Sequence, residues 1–291
     1  MSTACRVRPG CRSGRTGATS TRRAILRPLS STRTLPRDGS DAEPVTLSEQ
    51  DGVRYLHLGT PWVQGAMRIG QPGAIELEYV QRMLAWMLWR PATDLATGHA
   101  VQLGLGAGTL TRFCHQRLRM QRTTAVEINP SVIAACRQWF RLPGDDARLA
   151  VVVDDAGRWI ADPRRAQTVQ VLQVDLYDHE AAAPVLDDEG FYRACRQALV
   201  EGEGVMSVNL FGRAASFAAS VGRIGSVFGG ACVWNLRPTR EGTTVVIATR
   251  GVALPGRDEL AARADRIEDR FGLPARKWLR MIRVPLAGAS A

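Results

Sequence analysis

Apolar positions along this chain change period several times, and each change marks an element. Residues 53–58, Val-Arg-Tyr-Leu-His-Leu, alternate in part, and a second strand-like run covers residues 63–69. Gly59-Thr60-Pro61 between them is turn chemistry, so the two runs predict a small β-hairpin within an N-terminal β region at residues 46–73. From Ile75 the spacing turns helical. Leu77, Val80, Leu84, Met87 and Leu88 share one face, and Pro91 ends the segment.

Beyond residue 98, strand and helix patterns alternate. Strands are predicted at residues 101–105, 123–128, 149–154, 169–174 and 204–210, and helices at residues 109–119, 130–140, 158–161, 188–200 and 214–228. Asn129-Pro130 is a capping residue followed by proline at the first helical position. Residues 232–236 and 243–247 are separated only by a short loop with Pro238 and Gly242, which predicts an antiparallel hairpin at one sheet edge. A last amphipathic helix covers residues 256–271 and closes at Gly272. Repeated β–α units imply a mainly parallel sheet with helices on both faces. The predicted fold class is α/β, a Rossmann-like sheet of the S-adenosylmethionine-methyltransferase type. It is mostly parallel with a terminal antiparallel hairpin, spans residues 74–291, and follows the small N-terminal β-hairpin region.

Composition adds limits. With 291 residues, 45% of them hydrophobic, the chain can build a sizeable core. No apolar run approaches the 18 or more residues that a membrane span needs, so no membrane association is expected. The net charge is +10, and Lys277 is the sole lysine. Residues 1–45 hold nine arginines against Asp38, Asp41 and Glu43, with few large apolar residues. This segment is predicted to be a disordered Arg-rich tail. Its composition also suits an organellar transit peptide, but a solvated tail or an upstream start is the preferred reading. No zinc-finger spacing or basic–aromatic motif accompanies the charge, so no nucleic-acid partner is expected. The six cysteines form no C-x-x-C pair, and four lie in predicted helices or strands. That usage suggests reduced thiols and a cytoplasmic setting.

The candidate chemistry falls at the carboxyl ends of the predicted strands, where open α/β sheets bind ligands. Gly104-Leu105-Gly106-Ala107-Gly108 follows one strand and opens a helix. Its G-x-G-x-G spacing differs from the dinucleotide fingerprint, which wants Gly or Ala where Thr109 stands. Glu127 ends the next strand, placed to accept from both hydroxyls of a ribose. Asp155, in Asp154-Asp155-Ala156-Gly157, can accept from the exocyclic amine of adenine or cap a short helix. Asp175 and Asp178 stand three residues apart in Asp175-Leu176-Tyr177-Asp178-His179. Such a pair can hold a cationic amine and take its proton. His179 is either a helper base or a loop histidine. The four histidines show no H-x-x-x-H or H-E-x-x-H spacing, so no metal is expected.

Together these motifs resemble the spermidine synthase family, the polyamine aminopropyltransferases, and in particular its divergent members. The resemblance covers roughly residues 50–250 and rests on Val63-Gln64, Glu78-Tyr79, the glycine loop, Val126-Glu127-Ile128-Asn129-Pro130, Asp155, Asp175-x-x-Asp178 and Phe191-Tyr192. It implies an aminopropyl transfer from decarboxylated S-adenosylmethionine to a small-molecule amine, without metal; members of the family commonly form dimers or tetramers, and a homodimer is one assembly open to this chain. Gly104, Gly106, Gly108, Glu127, Ile128, Asp155 and Ala156 would bind the nucleoside. Asp175 would be catalytic, with Asp178, Tyr177, Tyr79 and Gln64 on the substrate side. Three features depart from the family pattern. Ala107 stands where the glycine loop usually carries aspartate, Val80 follows Tyr79 where histidine is usual, and Leu176-Tyr177 replaces two serines. Loss of that aspartate leaves two alternatives open: methyl transfer from S-adenosylmethionine, or a non-catalytic nucleoside-binding homologue.

Overall fold

A glycine loop becomes a ligand site only if a sheet presents it beside the other strand ends. The computed structural model describes residues 32–34, 43–177, 184–211 and 214–283. Its first sheet is antiparallel, in the order β1 (Thr32–Thr34), β2 (Val45–Gln50), β3 (Val53–Leu58), β4 (Gly65–Arg68). The predicted two-stranded hairpin is therefore a four-stranded sheet, and β1 lies inside the segment expected to be a disordered tail. The turn from β2 to β3 is Asp51-Gly52, both at positive φ (51° and 74°). Asp-Gly is the pair that a tight two-residue hairpin turn favours. β1 gains order by pairing, Thr32 with Ser48 and Thr34 with Thr46, a contact that composition does not encode.

Next come α1 (Glu78–Met83) and a 3₁₀ helix at Leu84–Leu88. The helix expected through Leu88 thus tightens halfway. Leu84, Ala85, Trp86, Met87 and Leu88 are all buried, so this turn has no solvent face and its amphipathic period disappears. The main domain continues as β5 (His99–Leu103), α2 (Thr109–Arg112), β6 (Arg122–Glu127), α3 (Pro130–Trp139), β7 (Leu149–Val153), α4 (Ala156–Ala161), β8 (Val171–Val174), α5 (Glu189–Ala198) and β9 (Gly204–Phe211). It closes with α6 (Ala214–Phe228), β10 (Val233–Leu236), β11 (Thr243–Arg250), α7 (Arg257–Phe271), α8 (Ala275–Leu279) and β12 (Ile282–Arg283). The helix expected at residues 109–119 changes to a π turn over Phe113–Leu118 and stops at Arg119, which has φ 60°.

The large sheet runs β12-β10-β11-β9-β8-β5-β6-β7. Strands β9 through β7 in that order are parallel, whereas β11 pairs antiparallel with β9, and β10 with β11. This is the mostly parallel sheet with an antiparallel hairpin that the sequence predicts, extended at its edge by the two-residue β12. One face packs on α1, α2, α7 and α8 around Trp86, Trp89 and Trp278, and the other packs on α4, α5 and α6 around Phe191 and Tyr192. A third cluster joins Leu47, Leu56 and Met67 of the small sheet to Val132, Ile133 and Phe140, tying the two sheets together. Chain order reverses between β5 and β8, and that crevice is where open α/β sheets take ligands. Among the described residues, no helix is long and apolar enough to cross a membrane.

Candidate active site

The crevice at this switch point opens into a cleft of about 510 Å³. The glycine loop forms its floor. Gly104 N donates to Val126 O at 2.9 Å, and Gly104 has φ 89°. Gly106 packs so tightly under β4 that an added Cβ would stand 2.9 Å from the carbonyl oxygen of Gln64. Gly65 abuts Ala107 in the same way, its Cβ position lying 2.5 Å from the Ala107 methyl. Cys136 Sγ donates to Gly106 O at 2.9 Å from below. Gly108 differs from the other two glycines. It is not on the cleft wall; it begins α2 with φ 67° and faces Leu142. Gly108 thereby shapes the turn that enters α2.

Glu127 ends β6 with its carboxylate already oriented. Leu105 N donates to Oε2 at 3.0 Å and Asn129 N to Oε1 at 2.9 Å. Burial raises its pKa, and these backbone donors oppose the rise. Asp155 follows β7 and caps α4, accepting from Arg158 N at 2.8 Å. Capping, one of the two readings open for this residue, is therefore real, yet Asp155 also lines the cleft. Its neighbour Asp154 pairs with Arg158, which lowers its pKa.

Asp175 directly follows β8 at the inner wall. Asn209 Nδ2, from the end of β9, donates to its Oδ1 at 3.1 Å, and the Tyr79 hydroxyl from α1 also donates to it. Desolvation nevertheless raises Asp175 to about 6. Burial and the adjacent Asp175 carboxylate push Tyr79 well above the usual phenol range, so it stays a proton donor. The Tyr177 hydroxyl donates to Asn209 O at 3.0 Å. Gln64, Tyr79, Gly104, Gly106, Glu127, Ile128, Asp155, Ala156, Asp175 and Tyr177 all line this cleft. Asp178 and His179 lie outside the described residues, as do Cys5 and Cys11. Sequence reasoning missed Asn209, although its place at a strand's carboxyl end was a usable signal, and it also missed Glu43, which joins the wall.

Two electrostatic features stand out. Glu43, Glu127, Asp154, Asp155 and Asp175 line the cleft, and among the described lining residues none is arginine, lysine or histidine. Past Asp175 the cleft narrows to an annex of about 20 Å³ beneath the loop, with Ala107, Val80 and Leu110 on its walls. Glu76 also reaches the annex, but Arg68 neutralises it through two bonds of 2.8 Å.

An α/β sheet of methyltransferase type with an acidic nucleoside-sized cleft at its switch point defines the class: a group-transferring enzyme fold. The comparisons narrow it. Residues 99–210 match the family model for the spermine/spermidine synthase domain. The chain is 33% identical over 236 residues to a polyamine aminopropyltransferase of Neisseria meningitidis, covering 81% of this chain and 87% of that one. A probable spermidine synthase from Corynebacterium glutamicum superposes with a TM-score of 0.68 at 18% identity, covering 91% and 96% of the two chains. A spermidine synthase solved with the transition-state analogue AdoDATO gives 0.60 at 19% identity, covering 83% and 89%. The chain belongs to the spermine/spermidine synthase family, the polyamine aminopropyltransferases, and is a transferase.

Proposed function

We propose that the protein moves an aminopropyl group from decarboxylated S-adenosylmethionine to an amine acceptor. The observation that carries this reading is a cleft whose charged lining residues, among those described, are all carboxylates, in a chain of net charge +10. A sulfonium donor and a protonated amine are both cations, and both are drawn to such a wall. Glu127 accepts from the ribose hydroxyls with the lone pairs that its backbone donors leave free. Asp155 keeps Oδ1 on the helix and offers Oδ2 to the adenine amine, with Ile128 and Ala156 beside the base. Gly104 and Gly106 let the donor approach the backbone closely.

The acceptor enters as an ammonium, on the side lined by Gln64 and Tyr177. Its proton passes to Asp175, and the freed lone pair attacks the carbon next to the sulfonium. The carbon–sulfur bond breaks with its electrons going to sulfur, which releases neutral methylthioadenosine, and Asp175 returns the proton to solvent. Tyr79 and Asn209 hold the carboxylate in place throughout. Holding the two reactants in line supplies much of the acceleration. Asp178 remains the proposed second carboxylate for the acceptor. A spermidine synthase of similar fold was solved with the transition-state analogue AdoDATO, which supports the aminopropyl-transfer reading of this cleft.

The test is calorimetric titration with methylthioadenosine, decarboxylated S-adenosylmethionine, S-adenosylmethionine and S-adenosylhomocysteine, followed by turnover with a panel of amines. Tighter binding of the first two, with aminopropyl transfer to an amine, is the expected result. Preference for the last two would move the assignment to methyl transfer. Binding of all four without turnover would leave a nucleoside-binding homologue.

A further inference from the structure

Beneath Asp175 the sheet carries polar side chains in its core. Register sets Gln102 of β5 beside Gln173 of β8, and Gln173 beside Ser207 of β9; none is more than 1% exposed. Two residues further along the chain stand Gly104 and Asp175, just past the ends of β5 and β8, and Asn209 within β9, which bonds Asp175. Gln102 Nε2 donates to Gln173 Oε1 at 2.9 Å, and Cys114 Sγ donates to that oxygen at 3.4 Å. Gln102 Oε1 and Gln173 Nε2 then find no partner among the described residues. Turning both amides over only exchanges the roles and leaves another donor and acceptor spare. Ser207 Oγ and Asn209 Oδ1 are also without partners there, as is Trp86 Nε1 in the helical layer packed on this face.

Buried polar groups are nearly always paired. A contiguous set of spare donors and acceptors is the setting for ordered water, which needs two to four polar partners. Asn209 is the member closest to the chemistry. Its Nδ2 donates to the Asp175 carboxylate, and a donor to its Oδ1 would keep that orientation in both protonation states. Without such a donor the amide can turn once Asp175 is protonated and accept the carboxyl proton, which favours the neutral form.

We propose that Ser207, Gln173 and Gln102 hold ordered water that donates to Asn209 Oδ1, making these three positioning residues for Asp175. The catalytic meaning of this positioning rests on the reading of Asp175 as the proton acceptor; the orientation of its carboxylate does not. The groups facing that carboxylate are Tyr79 of α1, Asn209 of β9, Tyr177 on the following segment, and Glu76, already paired with Arg68.

The test uses the full chain with ¹³C-labelled aspartate and follows the carboxylate titrations by NMR. Ser207→Ala and Gln173→Leu are expected to raise the Asp175 midpoint by ~0.5 pH unit or more, because an amide free to turn no longer favours the charged form. Asp155 should hold still, and Ser207→Thr, which keeps the hydroxyl, should restore the midpoint. An Asp175 midpoint unmoved in Ser207→Ala overturns the proposal even if Gln173→Leu fails to fold. A moved midpoint in a protein that turns over no amine overturns the proposed function and leaves this inference standing.

Discussion

Gly104 and Asp175 meet where the order of the sheet reverses: a Cβ on Gly104 would stand 2.2 Å from the main-chain oxygen of Asp175. That contact brings the floor of the cleft and the group proposed to take the proton within one van der Waals layer. Gly104 also holds φ 89°, where a side chain is strained whatever the space. Gly104→Ala is therefore expected to cost about 3 kcal/mol of stability, combining backbone strain with overpacking. Urea denaturation of the two proteins measures it, and a loss under about 1 kcal/mol would mean that β5 and β8 are further apart than described.

Removing the proton acceptor should separate chemistry from binding. Asp175→Asn keeps the shape of the side chain and is expected to lower kcat by about 10²–10⁴-fold, the usual worth of a positioned base. Methylthioadenosine affinity should stay within a few-fold, because the nucleoside is assigned to Glu127 and Asp155. Equal losses in both would place Asp175 on the nucleoside.

Burial of Asp175 also predicts a pH dependence. Its folded-state pKa, about 6, lies above the ordinary value of 3.8. The stability it contributes is therefore fully present below pH 3.8 and is lost as pH rises through about 6. At pH 8 the ionised carboxylate weakens the fold by on the order of 2 kcal/mol. Asp175→Asn should accordingly raise Tm at pH 8 and leave it nearly unchanged at pH 4. In the unsubstituted protein kcat should fall below pH 6 as the base is protonated. Calorimetric scans and a pH–rate profile check the two halves independently.

Glu127 holds the glycine loop and the start of α3 before any ligand arrives. Glu127→Gln removes the charge and one acceptor, and should weaken methylthioadenosine by about 10–100-fold, equivalent to about 1.5–3 kcal/mol for a bond to a charged group. Titration calorimetry reads the change. Unaltered affinity would leave Glu127 a purely structural residue.

Ala107 sits on the annex wall against Gly65, where the ammonium of the proposed donor would find no loop carboxylate. Ala107→Asp should tighten decarboxylated S-adenosylmethionine by about tenfold through a charge-assisted bond, with methylthioadenosine unchanged. If both ligands weaken together, the close Gly65 contact has displaced the loop instead.

The alternation of strands and helices, the terminal hairpin and the placing of each motif at a strand end were all legible in the sequence. Hydrophobic period reports which face of each element is buried, and the turn residues report where it stops. The chain by itself thus determined the α/β class and singled out Glu127, Asp155 and Asp175. The Asp51-Gly52 pair is an equally legible turn signal, and it implies a strand before it, which is β2. Other features lay beyond any local pattern. β1 depends on a partner strand, the 3₁₀ turn at Leu84–Leu88 on burial from every side, and the turn role of Gly108 on the position of Leu142. Only tertiary structure joined Asn209 to Asp175 across 34 residues and gathered five carboxylates into one cleft in a basic chain. Proximity between distant strand ends is set by sheet order, and sheet order is decided by packing among all the elements rather than by the residues along any one of them.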